Sequence, residues 1–369
     1  MIMDKENASA PENCNFSVTA QKEENVHLIW TDVLRIIAIF GIIITHIASL
    51  EFMGDPKTME WQACNIFNSL TRPCVAIFVM VSGVFLLNPD KEYSLKKLYF
   101  SKILKFIAIY LVCTVFFACY HQLYHGFSFD FSRIKRELSD GPGHLWFLFM
   151  ICGLYIVSPF LRLITKDKRY IIYYLVLSLI FVSFAHLMIT VPCLEKFYKQ
   201  TLLRFELPFI FGYSGYFMLG YWLSTQQLSK KTRILIYISG IIAAIASVAI
   251  NGYAGYHFNI RGTGFYNNIS LPNVICATAV FVFCQYHFNT KTPFHLPAGI
   301  IAKVAKRCFG IYLIHPVFLT VTSSARLREI FLSPSPFIYI PLLAIGYFAG
   351  SLLIVMLLEK IPFVKKCII

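Results

Sequence analysis

Arg35 and His46 stand inside one apolar stretch, residues 28–50 (LIWTDVLRIIAIFGIIITHIASL). A guanidinium grips a phosphate or carboxylate through paired, charge-assisted hydrogen bonds. An imidazole moves protons near neutral pH. Ionisable groups in such a stretch are costly, face a bundle interior or a wet cavity, and mark function. On a helix, the spacing of 11 residues is three turns plus about 20°, so both side chains share one face, about 16 Å apart along the axis. A cation at one depth and a base at another fit a long, anionic ligand lying along that face. Asp32, three residues before Arg35, either orients the guanidinium or simply neutralises it.

The elements that must hold these residues are set by composition. Of 369 residues, 57% are apolar and the mean hydropathy is positive, which places the chain in the membrane class with a lipid bilayer as its partner. The net charge of +14 is spread in short clusters between apolar runs. No basic domain with interleaved aromatics exists, so no nucleic acid partner is expected. The eleven cysteines are scattered, without CxxC or Cys/His ligand spacing, so the expectation is neither a disulfide framework nor a metal site. Residues 1–26 are polar and lack an apolar core. They read as a disordered cytoplasmic tail ahead of one membrane domain over 27–369.

Ten stretches are long and apolar enough to cross a bilayer: 28–50, 65–87, 102–123, 144–164, 170–190, 203–223, 233–251, 269–287, 300–323 and 337–358. The expected fold is an all-α, polytopic bundle of ten transmembrane helices. Lys and Arg in the tails and alternate loops number 21 against 10 in the other loops, which puts both termini in the cytoplasm. Depth then follows for each polar residue. Arg35 and Ser82 lie towards the inside. His46, Arg72, His144 with Trp146, and His315 with Tyr312 lie at similar outer depth on four spans. The outer connection 252–268, rich in Gly, Asn and aromatics, reads either as a sugar-stacking surface or as an ordinary interfacial loop.

Four ordered motifs carry a resemblance. WTDVLRIIAIFGIIITH (30–46) resembles the opening helix of the membrane acyltransferase-3 family, and RPCVAIFVMVSGVFLL (72–87) its second helix. HLWFLFMICGLYIVSPFL (144–161) is similar to the fourth helix and FGIYLIHPVFL (309–319) to the ninth. One position departs: many members carry a second arginine where this chain has Ser69. The resemblance implies transfer of an acyl group, usually acetyl, from cytoplasmic acyl-coenzyme A to a hydroxyl of a cell-surface or lipid-linked glycan, in the cytoplasmic (inner) membrane of a bacterium. On that footing His46, Arg72, His144 and His315 are the expected catalytic residues, with His46 as general base. Asp32, Arg35, Ser82, Trp146 and Tyr312 are the expected donor contacts, and no metal is required. The rival expectation is a glycan or glycolipid transporter or flippase without acyl-transfer chemistry, although the sequence shows no duplicated half.

Overall fold

A computed structural model of the protein describes residues 28–90, 94–124, 131–188, 192–288, 297–322, 334–362 and 364. The N-terminal tail expected over 1–26 lies outside the described residues. Within them every regular element is helical. The principal helices are α1 (Ile29–Ala48), α2 (Met59–Thr71), α3 (Pro73–Leu86), α4 (Leu104–Tyr124), α5 (Trp146–Ile164), α6 (Lys168–Ser178), α7 (Leu207–Thr225), α8 (Lys230–Phe258), α9 (Leu271–His287), α10 (Ala298–Ala305), α11 (Cys308–Ile314), α12 (Pro316–Thr322) and α13 (Pro336–Leu358).

Eight helical stretches among the described residues are long and apolar enough to cross a membrane. A ninth is formed if α10 and the Cys308–Thr322 helix, bent by 43° at their junction, are counted as one span. The remaining expected stretch, 203–223, is occupied by α7, 19 residues long. The chain is therefore an all-helical, multi-pass membrane protein. Its outer faces suit a lipid environment: Leu235, Ile238, Ile241, Ile242 and Ile245 of α8 are all exposed, and no water-facing stripe is needed where the solvent is hydrocarbon.

Local chemistry sets where helices start and break. Thr58 accepts a hydrogen bond from the Trp61 amide at 3.2 Å to cap α2, and Ser229 caps α8 through the Thr232 amide at 3.2 Å. Pro73 has no N–H to continue the helical ladder, so the second expected span, 65–87, is realised as two segments meeting at Arg72. The third begins at Leu95, earlier than expected, and passes through a π turn over Tyr99–Ile103. The ninth is interrupted at Lys306–Arg307, where Arg307 clamps Glu359 at 2.6 Å and 2.7 Å.

Helix α1 is the hub. It packs against α2, α3, α9, α10, α11 and α13, which is why its polar residues face protein rather than lipid. The closest partner of α3 is α7, and two glycines permit the approach. A Cβ on Gly83 would stand 1.9 Å from the Phe217 carbonyl oxygen, and one on Gly220 would stand 2.1 Å from that of Met80. Small residues serve in this way where apolar helices meet without a hydrophobic driving force between them.

Candidate active site

Arg35 and His46 border one cavity of about 600 Å³. Helix α1 contributes both of them and Ile42. Helix α3 adds Ser82 and Phe78, α5 adds Trp146 and Phe147, and α11 adds Phe309 and Tyr312. His144, on the short turn before α5, completes the His46 end. The expected face-sharing of Arg35 and His46 is thus realised around a single passage.

At the Arg35 end, Arg35 Nη1 donates to Asp32 Oδ1 at 2.8 Å. The Asp32 side chain is 3% exposed and the Arg35 side chain 32%, so the carboxylate is the buried anchor and the guanidinium reaches the cavity. Phe85 supports it, the guanidinium carbon lying 5.1 Å from the ring centroid. Asp32 itself does not border the cavity. Lys102, Lys105, Lys306 and Ser101 do, and Lys102 and Lys306 are exposed. Sequence reasoning assigned these lysines only to topology. The available signal was the spacing of three between Lys102 and Lys105, which places both on one helix face. The π turn containing Ser101 and Lys102 widens the helix there, as single π turns commonly do at functional sites.

At the other end, His46 Nδ1 and His315 Nε2 are 2.9 Å apart, with ring centroids 5.0 Å apart and nearly parallel. His315 has no exposed surface and does not border the cavity; it stands behind His46. Its Nδ1 lies 3.3 Å from the Ile311 carbonyl oxygen. Tyr312 Oη donates to the His144 carbonyl, tying α11 to the start of α5. The His144 ring packs edge-on to Phe117 at 4.9 Å and lies 6.2 Å from His315. Its Nε2 is buried with no hydrogen-bond partner. A second recess, of about 340 Å³, lies against the same corner, bordered by Ser49, Leu50, Gly143, Pro316 and Leu319 together with His46, His144 and Trp146. Three side chains are therefore common to both spaces.

Arg72 borders neither. Its guanidinium lies over the Tyr266 ring at 5.2 Å, and its Nε is buried without a hydrogen-bond partner. Tyr266 is itself anchored to the Asn65 side chain. Ser69 donates to Asn65 at 3.1 Å and accepts from Asn251 at 3.2 Å. The connection 252–268 thus has two parts: residues up to Phe258 extend α8, with Tyr253, Tyr256 and Phe258 exposed, while Tyr266 turns inwards beneath Arg72. Among the described residues no group of three or more His, Cys, Asp or Glu side chains has the arrangement of a metal site.

A family model described as an acyltransferase domain matches residues 28–358, nearly the whole chain. The chain belongs to the acyltransferase-3 family. It is accordingly a membrane acyltransferase, which decides against a carrier without chemistry. No curated protein and no solved structure matches it. The opening helix supplies Arg35 and His46, and both border the passage shared with His144, Trp146 and Tyr312.

Proposed function

We propose that the protein moves an acyl group, acetyl by preference, from acyl-coenzyme A on the cytoplasmic side to a hydroxyl of a surface or lipid-linked glycan, in a bacterial cytoplasmic membrane. The bundle has ten crossings with both termini inside. One observation carries the reading: a single cavity has cations at one end and imidazoles at the other, about 16 Å apart along α1. The donor has matching dimensions. Thirteen bonds separate phosphorus from sulfur in phosphopantetheine, and at the ~1.2 Å per bond of an extended chain they span roughly 16 Å. The nucleotide phosphates sit among Arg35, Lys102, Lys105 and Lys306, Ser82 flanks the arm, and the thioester reaches His46.

His46 takes the proton of the acceptor hydroxyl as its oxygen attacks the thioester carbonyl. The new ester C–O bond forms, the C–S bond breaks, and the proton passes from imidazole to the departing thiolate. Such a base is worth about 10²–10⁴-fold. Charge on the developing oxyanion falls to the donors nearest it, the buried His144 ring and the more exposed Trp146 indole, while Arg72, which borders neither space, contributes only through its field. The glycan approaches through the second recess, which borders His46 as the donor cavity does.

The test is transfer of label from radiolabelled acetyl-coenzyme A to candidate glycans by the purified protein in lipid. His46→Ala should lose at least about 10²-fold in kcat while still binding donor. Full activity in that variant removes the base assignment, and movement of intact glycan without label transfer removes the reading.

A further inference from the structure

We infer that His315 is a positioning residue that fixes which nitrogen of His46 carries the proton, with the Ile311 carbonyl as the fixed point of the relay. The inference rests on His46 being the base. A neutral imidazole has one N–H and one lone pair, and the hydrogen bond at one nitrogen dictates the role of the other. A carbonyl oxygen only accepts. The Nδ1 of His315, 3.3 Å from the Ile311 oxygen, is therefore its N–H. His315 has no exposed surface and its two ring nitrogens meet His46 and the Ile311 carbonyl in hydrogen-bonding distance, so an imidazolium there would be a costly buried charge. His315 is thus neutral and its Nε2 is a lone pair.

That lone pair lies 2.9 Å from His46 Nδ1. Two lone pairs at this distance repel, so His46 Nδ1 must carry the hydrogen and donate it. The remaining nitrogen of His46, Nε2, is left with a lone pair on the ring that borders both spaces. The backbone thus sets one tautomer, that tautomer sets the next, and the base is presented ready to accept a proton. The logic is that of a carboxylate holding the imidazole of a serine protease, where the wrong tautomer costs about 10⁴-fold, but here the orienting group is a second, uncharged ring. Its geometric support is local: His315 follows α11 directly and Pro316 closes the helix behind it, so ring and carbonyl move as one unit.

The experiment combines two variants with the wild-type tautomer state. His315→Leu removes the acceptor, whereas His315→Gln places an amide oxygen where Nε2 stood. Kinetics are read as kcat and donor KM separately, and nitrogen NMR of histidine-labelled protein in lipid reports which nitrogen of His46 is protonated. We expect His46 to carry its proton on Nδ1 in the wild type. His315→Leu should lose at least roughly 10²-fold in kcat with donor KM within about twofold, because His315 touches neither space. His315→Gln should recover most of the loss. The relay is overturned if wild-type His46 is protonated on Nε2, if folded His315→Leu keeps wild-type kcat, or if folded His315→Gln is no better than His315→Leu. Should His315→Leu fail to fold, the Gln variant and the wild-type spectrum still decide. An active His46→Ala sinks the base reading itself. An inactive His46→Ala beside a fully active His315→Leu sinks only the relay.

Discussion

Lys102, Lys105 and Lys306 border the same cavity as Arg35, and under the proposed function this concentration of cations at one end sets the direction in which the anionic donor enters. A hydrogen bond to a charged group is worth about 1.5–3 kcal/mol, or roughly 10- to 150-fold in affinity. Arg35→Ala should therefore raise donor KM at least about tenfold with a smaller effect on kcat, and unchanged donor affinity would remove Arg35 from this role. A double comparison separates the lysines: acyl donor lacking the 3′-phosphate should bind more weakly than intact donor to wild type, and the gap should shrink in Lys102→Ala/Lys105→Ala. A gap of unchanged size sends that phosphate elsewhere. Arg35 and His46 were legible in the sequence because an ionisable type inside an apolar run has no cheap explanation. The lysines were not, because a lysine at the end of a span serves orientation equally well. Nor was the arrangement of His315 behind His46, since equal depth on two spans leaves contact, order and facing undetermined.

Helices decide whether those side chains meet. The contact between α3 and α7 depends on Gly83 and Gly220, so Gly220→Leu must push against the Met80 backbone, which stands 2.1 Å from the first added carbon. Overpacking of this kind costs at least about 1–3 kcal/mol, readable as a lower unfolding temperature in detergent. Gly346→Ala, with nothing within 4 Å of the new carbon, should leave that temperature unchanged or raise it. The π turn makes a second prediction. Deleting Ser101 restores an ordinary helical turn and changes the register of Lys102 by about 100° relative to the segment that precedes it, so donor KM should rise while folding is retained; an unaltered KM would mean that the wide turn does not aim Lys102. Apolar length located nearly all the membrane helices, since a span must satisfy its own backbone whatever its neighbours. Composition could not reveal the breaks at Arg72 and Lys306–Arg307 or the π turn, which are matters of hydrogen-bond register rather than of hydropathy.

At the scale of the whole molecule, the even number of crossings we propose returns the chain to the side on which it starts. Fluorescent-protein and alkaline-phosphatase fusions at the C-terminus should therefore be bright and inactive respectively, and an active phosphatase would break the topology on which the donor's side depends. Architecture also decides what the enzyme must not do. His46, His144 and Trp146 are the side chains that both recesses share, so on the proposed reading the reacting centre doubles as the stopper between two spaces that open towards opposite sides of an electrical insulator. Each elementary charge slipping across an energised bilayer dissipates about 2.3 kcal/mol per 100 mV. Cutting His46 back to glycine should consequently do more than silence the chemistry: vesicles holding that variant should pass protons and small ions faster than vesicles holding the wild type, and the cell would meet the mutation as a leak before it missed the product.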